Sequence, residues 1–192
     1  MRYIIMADGK GIRWDNFTDC PKHLITINGE TLLERLVRQL KSADFLAEII
    51  ITSRDDRYEV EGARRHVPLN NEVEIDRFTQ ELIRNDICFL YGDTYYTDEA
   101  IQKIIAKNTD SVAFFGNIDR IFAVKAFDGE FFGAMIARVK IDNPDGKGWD
   151  VYQVFSGLKR KEIGQNYFLI NDETTDFNTP TDYLDFVKAT SF

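Results

Sequence analysis

The sequence predicts an α/β protein, a three-layer α/β/α sandwich around a mostly parallel sheet. Two observations predict this fold class. Short runs rich in β-branched and aromatic residues alternate with longer amphipathic stretches, which is typical of βαβ units. A glycine-rich loop follows the first run, at the edge where α/β sheets bind ligands. The length of 192 residues suits one domain, within which residues 128–165 could form a small subdomain.

The expected elements alternate along the chain. We predict strands at Arg2–Ala7, Glu48–Thr52, Asp86–Tyr91, Ser111–Gly116, Ile121–Phe127 and Tyr167–Ile170. A capping box of Thr31 and Glu34 predicts that the first helix begins there, and Thr179 followed by Pro180 predicts the start of the last. Apolar residues at helical spacing predict further helices at Val73–Arg84, Asp98–Lys107, Glu130–Lys140 and Trp149–Leu158, and the last helix at Tyr183–Lys188.

The chain is acidic, with 32 Asp and Glu residues against 24 Lys and Arg and a net charge of −8. This balance argues against nucleic acid or a membrane surface as a partner, because both are bound through bulk positive charge. Cys20 and Cys88 follow neither a disulfide nor a metal-ligand pattern. No apolar run approaches the roughly 18 residues of a membrane span. We therefore expect a cytoplasmic protein that needs a local basic site for any anionic ligand.

The loop after the first strand reads Asp8-Gly9-Lys10-Gly11-Ile12-Arg13-Trp14. Glycines at this place allow backbone N–H groups to approach a phosphate closely. The loop lacks the third glycine of the dinucleotide-binding fingerprint and the Gly-Lys-Ser/Thr of a Walker loop. On glycine content alone, an ordinary tight loop therefore remains an open reading.

The wider opening of the chain resembles one family. Residues 3–14, the Cys20-Pro21-Lys22-His23-Leu24 segment and residues 27–35 together resemble the start of the nucleotidyltransferases with the GT-A-like fold. That family includes sugar-1-phosphate nucleotidyltransferases and the cytidylyltransferases for phosphocholine and similar alcohol phosphates. The resemblance implies transfer of a nucleotidyl group from an NTP to a phosphorylated acceptor, with release of pyrophosphate.

The resemblance also implies site residues. Arg13 and Lys22 match the family's phosphate-binding cations and are the catalytic candidates, since fixed cations balance charge on a triphosphate. We expect both to be exposed loop residues that contribute little to stability. The implied nucleotide-binding residues are Ala7, Asp8, Gly9, Lys10 and Gly11.

Two residues depart from the family pattern. Asp8 stands where relatives have Ala, and Ile12 stands where they have Ser or Thr before the arginine. The Asp8 carboxylate could select a hydroxyl or amino group of the nucleotide, or it could repel a triphosphate, while Ile12 removes a hydroxyl that can contact phosphate. A non-catalytic module that binds nucleotides or nucleotide sugars is therefore the alternative function.

Two aspartates resemble the family's metal ligands. Asp93 follows an apolar strand and Gly92, although such a pair alone also suits a simple turn. Asp176 begins the Asp-Phe-Asn-Thr-Pro segment that resembles the end of these enzymes. The resemblance implies that Asp93 and Asp176 bind Mg²⁺ or Mn²⁺, a hard cation that takes carboxylate and phosphate oxygens. Because Gly92-Asp93-Thr94 contains no Asp-x-Asp, a glycosyltransferase is a weaker reading.

The acceptor side is less defined by sequence. The cluster Lys159-Arg160-Lys161 could hold an acceptor phosphate or be a solvated charged surface, and Trp149 and Tyr152 could line a pocket or only fill a core. Asn70, Asn71 and Arg77 are candidate base contacts. The short chain favours a small sugar phosphate or alcohol phosphate as acceptor, CTP as donor, and a role for residues 128–165 in acceptor binding or in a homodimer.

Overall fold

A seven-stranded sheet is the centre of the fold in the computed structural model, which describes residues 1–9, 11–14 and 17–190. The strands are β1 (Arg2–Met6), β2 (Thr26–Ile27), β3 (Glu30–Thr31), β4 (Glu48–Thr52), β5 (Arg64–His66), β6 (Ile87–Tyr91), β7 (Thr94–Tyr95), β8 (Val112–Gly116), β9 (Ile121–Ala126), β10 (Tyr167–Leu169) and β11 (Thr175–Asp176). The α-helices are α1 (Leu32–Ala43), α2 (Asp98–Ala106), α3 (Gly129–Asp142), α4 (Gly148–Ser156) and α5 (Pro180–Thr190).

The sheet has the strand order β10-β8-β9-β6-β1-β4-β5. Its pairs are parallel except at β9, which runs antiparallel to β6 and β8. The expectation of a mostly parallel sheet and all of its expected strands is confirmed. The short edge strand β5 was not expected, because the sequence Arg-Arg-His carries no apolar run. Two separate ribbons, β2–β3 and β7–β11, are antiparallel.

Apolar side chains alternate between the two faces of the sheet. On β1, Tyr3 and Ile5 belong to one buried cluster and Ile4 and Met6 to another. Helices α1 and α2 cover the first face, while α3 and α4 cover the second. This arrangement confirms the three-layer α/β/α sandwich. It also places α3 and α4, which lie within residues 128–165, directly on the sheet.

The predicted helix starts are confirmed by their hydrogen bonds. The Thr31 backbone N–H donates to Glu34 Oε2 at 2.8 Å, and the Glu34 N–H donates to Thr31 Oγ1 at 3.2 Å. Before α5, the Thr179 N–H donates to Asp182 Oδ2 at 2.8 Å, which fixes the first turn behind Pro180. Within the described part of the chain, no helix has the length and apolar character to cross a membrane.

The helix predicted at Val73–Arg84 is wrong. This segment forms two single 3-10 turns, Glu74–Arg77 and Gln80–Leu82. Its apolar residues are buried as the periodicity predicts, with Phe78 edge-on to Phe89 at 5.3 Å. The Asp76 carboxylate accepts the Glu72 and Val73 N–H groups, at 2.9 and 3.1 Å, and closes the first turn, but the backbone leaves helical geometry at Phe78 (ψ 55°) and Thr79 (ψ 95°).

A third, aromatic cluster lies at the carboxyl end of the sheet. Trp14, from the glycine-rich loop, packs edge-on to Phe17 and Tyr183, and Phe177 packs edge-on to Tyr183. Trp14 Nε1 also donates to the Cys20 carbonyl at 2.9 Å. The C-terminal helix therefore supports the loop at the start of the chain.

Candidate functional site

A cleft opens where β1 and β6 end, beside the glycine-rich loop. Two adjoining pockets form it, and they share Arg13, Lys22, Glu74, Arg77 and Asn178. We call their union the central cleft. Its other charged lining residues are Glu72, Asp93, Asp119, Arg120, Lys147, Arg160 and Asp176.

Asp93 is placed in the central cleft by the end of a central strand. The Gly92 N–H donates to the Met6 carbonyl at 3.0 Å, and a Cβ at Gly92 would lie only 3.0 Å from that oxygen. A larger residue would push the end of β6 away from β1. Glycine therefore allows Asp93 to follow β6 directly and to lie next to the start of the glycine-rich loop.

Lys22 and Asp93 form a buried ion pair, and each side chain is 9% exposed. The expectation that Lys22 is an exposed loop cation is wrong, because the short 3-10 turn Lys22–Leu24 directs it towards Asp93. Burial raises the pKa of Asp93, but the charge and hydrogen bond of Lys22, together with the electrostatic effects of His23 and Arg77, outweigh it and hold that pKa below the usual value. The Asp93 carboxylate is therefore ionised at neutral pH.

His23 is held away from this chemistry. Its Nδ1 lies 3.0 Å from the Tyr58 hydroxyl, and the side chain is almost fully buried. Burial, aided by the charge of Lys22, lowers the pKa of His23 to about 3. The imidazole is neutral at physiological pH and supports the loop behind Lys22.

Asp176 reaches the same cleft on the small ribbon of β7 and β11. In its register Asp176 pairs with Thr94, the residue after Asp93, and the Phe177 N–H donates to the Asp93 carbonyl at 3.0 Å. The two candidate metal ligands, far apart in sequence, are thus adjacent in the fold.

Asp176 has two polar partners besides the ribbon. Arg120 forms an ion pair with its carboxylate and also donates to its backbone carbonyl at 3.0 Å. Asn178 Nδ2 donates to Asp176 Oδ2 at 2.5 Å, and Asn178 Oδ1 accepts from Arg13 Nη2 at 2.8 Å. Burial raises the pKa of Asp176, and the hydrogen bond and charge of Arg120 only partly offset this. Asn178 therefore connects a candidate phosphate-binding cation to a candidate metal ligand.

The glycine-rich loop has Arg77 above it. A Cβ at Gly9 would lie 3.2 Å from Arg77 Nη2, so glycine lets this guanidinium approach the backbone. Gly11 has φ +60°, a left-handed conformation that favours glycine. Asp76 fixes the Arg77 turn, because it accepts two backbone N–H groups and forms an ion pair with Lys140 on α3. Arg77, a candidate base contact, thus lies against the loop and lines both pockets of the central cleft.

Asp8 points to the side of the loop that faces β4. Its Oδ1 accepts the Arg54 backbone N–H at 3.1 Å, and its backbone carbonyl accepts from Asn71 Nδ2 at 2.5 Å. The side pocket there, between the loop and the segment after β4, includes Ala7, Asp8, Gly9, Arg54 and Arg57. Asn70 is exposed. Lys10 and the side chain of Ile12 lie outside the described residues.

The far end of the central cleft is lined by cations from separate segments. Arg120 precedes β9, Lys147 precedes α4, and Arg160 follows α4. Trp149 lines this end and stacks on Tyr167 at 5.4 Å, whereas Tyr152 is fully buried. Of the predicted basic cluster, Arg160 lines the cleft, while Lys161 pairs with Asp119 at 2.6 Å.

The carboxylates of the central cleft suit a metal ion that a substrate also binds. Among the described residues no three His, Cys, Asp or Glu side chains converge as a metal cage, and the two neighbouring carboxylates are Asp93 and Asp176. Mg²⁺ is commonly held by one or two carboxylates plus phosphate oxygens and water. The residues present therefore fit a metal that arrives with a polyphosphate. Among described lining residues, six cations outnumber five carboxylates, the reverse of the whole chain.

Comparison with known proteins identifies the fold. By sequence, no protein-family model and no curated protein matches the chain. By structure, it has the fold of the sugar-phosphate nucleotidyltransferases, as the family resemblance predicts.

Three solved structures illustrate the likeness. A 4-diphosphocytidyl-2C-methyl-D-erythritol synthase from Anaerococcus prevotii superposes with a TM-score of 0.67 at 16% identity, over 100% of this chain and 96% of that one. A proposed glucose-1-phosphate thymidylyltransferase from Bacillus anthracis gives 0.68 at 13%, over 98% and 94%. The CTP:phosphocholine cytidylyltransferase of Streptococcus pneumoniae gives 0.63 at 14%, over 98% of each chain.

Proposed function

We propose that this protein is a metal-dependent nucleotidyltransferase, which moves a nucleotidyl group from an NTP to a small phosphorylated acceptor. One observation carries the proposal: the glycine-rich loop, the cations Arg13, Lys22 and Arg77, and the carboxylates of Asp93 and Asp176 converge in one cleft. That convergence occurs on a fold shared with enzymes named for this reaction.

The loop end of the central cleft suits the donor triphosphate. Gly11 leaves the backbone open, the Arg77 guanidinium lies against Gly9, and Arg13 and Lys22 add positive charge beside the loop. Since a triphosphate gains charge on its leaving oxygens during transfer, cations fixed there stabilise the transition state more than the ground state. Asn178 keeps Arg13 in place, and Asp93 keeps Lys22 in place.

The far end of the cleft suits the acceptor. An acceptor phosphate oxygen forms a new bond to the α-phosphorus, the bond from that phosphorus to the β-phosphate bridge breaks, and its electron pair leaves with pyrophosphate. No side chain has to form a covalent bond, so the protein acts by positioning and electrostatics. A Mg²⁺ ion held by Asp93 and Asp176 would neutralise charge on the donor and acceptor oxygens.

For the substrates we propose CTP and a sugar phosphate or alcohol phosphate. Two of the three structural relatives described above are named as cytidylyltransferases or diphosphocytidyl synthases, which supports CTP. Residues 128–165 contribute the acceptor end through Lys147, Trp149 and Arg160. Asn71, which lines the cleft beside Asp8, is the base-contact candidate best placed for the donor.

The test is a pyrophosphate-release assay. ATP, GTP, CTP, UTP and dTTP are each combined with Mg²⁺ and with phosphocholine, glucose 1-phosphate or glycerol 3-phosphate. We expect release with CTP and one acceptor class, and its loss when EDTA removes the metal. Asp110→Asn, an exposed carboxylate outside the cleft, is the matched control for variants of Asp93.

A second function has one observation in its favour. Asp93 and Asp176 are each already paired with a cation of the chain, which suits a module that binds nucleotides without turnover. Thermal shifts with nucleotides but no pyrophosphate release across the whole panel would support this module. Preference for a purine nucleotide would instead overturn only the choice of CTP.

A further inference from the structure

Residues 117–120 form the turn between β8 and β9, and hydrogen bonds fix its backbone. Asn117 Oδ1 accepts the Asp119 and Arg120 N–H groups, each at 2.9 Å. The Asn117 N–H donates to the Arg120 carbonyl, also at 2.9 Å. Gly116 precedes the turn, and a Cβ there would overlap the same carbonyl. Arg120 therefore leaves the turn from a closely packed backbone position.

Two buried aromatic side chains hold this turn from neighbouring elements. The Tyr167 hydroxyl, on β10, donates towards the Asn117 and Arg120 carbonyls, at 2.6 and 3.2 Å. Trp149 Nε1, on α4, donates to the Asp119 carbonyl at 3.1 Å. The two rings stack at 15°, with their centroids 5.4 Å apart. Since a buried hydroxyl or indole N–H usually finds a hydrogen-bond partner, both aromatic residues use their polar atoms on this turn.

The turn places the Arg120 guanidinium over the Asp176 carboxylate. Arg120 forms an ion pair with Asp176 Oδ1 and donates to the Asp176 backbone carbonyl at 3.0 Å. Asn178 donates to the other carboxylate oxygen. A cation that approaches Asp176 meets a positive charge that is already bound there, and two cations at such a short distance repel each other. Arg120 and a metal ion would therefore compete for this carboxylate.

We propose that Tyr167 is a positioning residue, which holds Arg120 on Asp176 and thereby weakens the binding of a metal ion to this carboxylate. The inference rests on the proposed function in one respect, since it takes Asp176 as a metal ligand. The Tyr167 ring packs in the apolar cluster on the second face of the sheet, whereas its hydroxyl reaches the turn. Replacing Tyr167 by Phe removes only the hydroxyl, so this variant separates positioning from packing.

The first experiment measures Mn²⁺ binding to the protein without nucleotide or acceptor, by electron paramagnetic resonance of the free ion. We expect Arg120→Gln to tighten Mn²⁺ binding about tenfold, because it removes a neighbouring positive charge. Tyr167→Phe keeps that charge but loosens its position, so this variant should tighten Mn²⁺ binding about threefold. Adding Asp176→Asn to Arg120→Gln should abolish the gain, because the carboxylate for which both cations compete is lost.

Tyr3→Phe is the matched control. Tyr3 is also buried, and its hydroxyl donates to Asp44 at 3.1 Å, outside the central cleft. This variant should leave the Mn²⁺ affinity unchanged. Unchanged Mn²⁺ affinity in Arg120→Gln, or absence of Mn²⁺ binding in every variant, would overturn the competition. Unchanged affinity in Tyr167→Phe would overturn the role of its hydroxyl.

The second experiment tests whether the hydroxyl acts through the metal during turnover. In the pyrophosphate assay, Tyr167→Phe should lower the free Mg²⁺ concentration for half-maximal rate about threefold and leave the KM for the nucleotide unchanged. A lower melting temperature with no change in either metal measurement would show a purely structural role and overturn the proposal. If no NTP is turned over, the proposed function fails, while a Mn²⁺ affinity that rises in Arg120→Gln and in Tyr167→Phe would still stand.

Discussion

The two carboxylate–cation pairs of the central cleft differ in how firmly the fold holds them. Lys22 and Asp93 are each 9% exposed, whereas Arg120 and Asp176 are 38% and 17% exposed. Asp93 directly follows a central strand, but Asp176 lies on a two-residue strand at the cleft edge. Burial raises the pKa of both carboxylates, but at Asp93 the charges and hydrogen bond around it, led by Lys22, together outweigh burial and lower the pKa, whereas at Asp176 the pKa stays raised.

This difference teaches which side of the cleft is fixed before any substrate binds. Lys22 and Asp93 are part of the buried structure, so their geometry is set when the protein folds. Arg120 is partly exposed, so its pair with Asp176 is held less firmly by the fold than the buried Lys22–Asp93 pair. We infer that the donor side is pre-organised and that the acceptor side completes itself on binding.

The largest effect is expected from Asp93→Ala. It removes a candidate metal ligand, so pyrophosphate release should fall by at least ~10²-fold. It also leaves Lys22 buried and unpaired, which should lower the free energy of unfolding by about 3–5 kcal/mol in urea denaturation.

The double variant Lys22→Met with Asp93→Leu is the control. Replacing a buried ion pair by apolar residues is often neutral or stabilising, so this variant should recover stability but not activity. Full activity of Asp93→Ala, with or without EDTA, would contradict the role of this carboxylate.

The next largest effect is a difference in stability between variants of Lys22 and Arg13, which the sequence predicts to be equally exposed. Lys22→Ala should destabilise the protein by several kcal/mol, about as much as Asp93→Ala, because it leaves a buried carboxylate unpaired. Arg13 is exposed, so Arg13→Ala should change the free energy of unfolding by less than about 0.5 kcal/mol while it still impairs turnover. Urea denaturation of both variants measures the split. Equal stability of the two variants would show that the Lys22–Asp93 pair is not structural.

Much of the fold follows from local patterns in the sequence. Apolar runs such as Ile87–Tyr91 predict the central strands, and the Thr31 and Glu34 capping box predicts the start of α1. The pattern fails at Val73–Arg84, where the backbone leaves helical geometry at Phe78 and Thr79 after a single turn. Periodicity reports which residues are buried and does not report where the backbone interrupts a helix.

The candidate site was less predictable than the fold, because its ion pairs join residues that are far apart in the sequence. The resemblance pointed to Asp93 and Asp176, but β7 and β11, which join them, have two residues each and no sequence signal. Arg120 was missed because it lies in the polar turn between β8 and β9, where a charged residue is ordinary. Its pairing with Asp176 exists only in the folded chain.

A smaller effect on activity should follow from removing the side chain of Asn178, which hydrogen-bonds to Asp176 of the more exposed Arg120–Asp176 pair. Asn178→Ala deletes the hydrogen bonds to Asp176 and Arg13, so we expect kcat to fall about tenfold with little change in melting temperature. Asn178→Asp keeps the acceptor for Arg13 but removes the donor to Asp176. If Asn178 acts by positioning both residues, Asn178→Asp should not recover kcat, because it sets a second carboxylate against Asp176. Asn143→Ala, which changes an exposed asparagine at the end of α3, should have no effect.

The smallest effect is a difference in pH dependence between the two carboxylates. Because the folded pKa of Asp93 lies below its unfolded value of about 3.9, the unfolded chain binds more protons, and Asp93 adds stability as pH rises. That contribution is present above the unfolded pKa and is lost as pH falls through the folded pKa.

The folded pKa of Asp176 is raised, so here the folded protein binds more protons, and ionisation of Asp176 costs stability as pH rises through that window. In urea denaturation at pH 3 and pH 7, Asp93→Asn should therefore lose more stability relative to the parent at pH 7 than at pH 3, whereas Asp176→Asn should gain stability relative to the parent as pH rises. The same sign for both variants would mean that Arg120 holds Asp176 as firmly as Lys22 holds Asp93, and the distinction between a fixed and an adjustable side would fail.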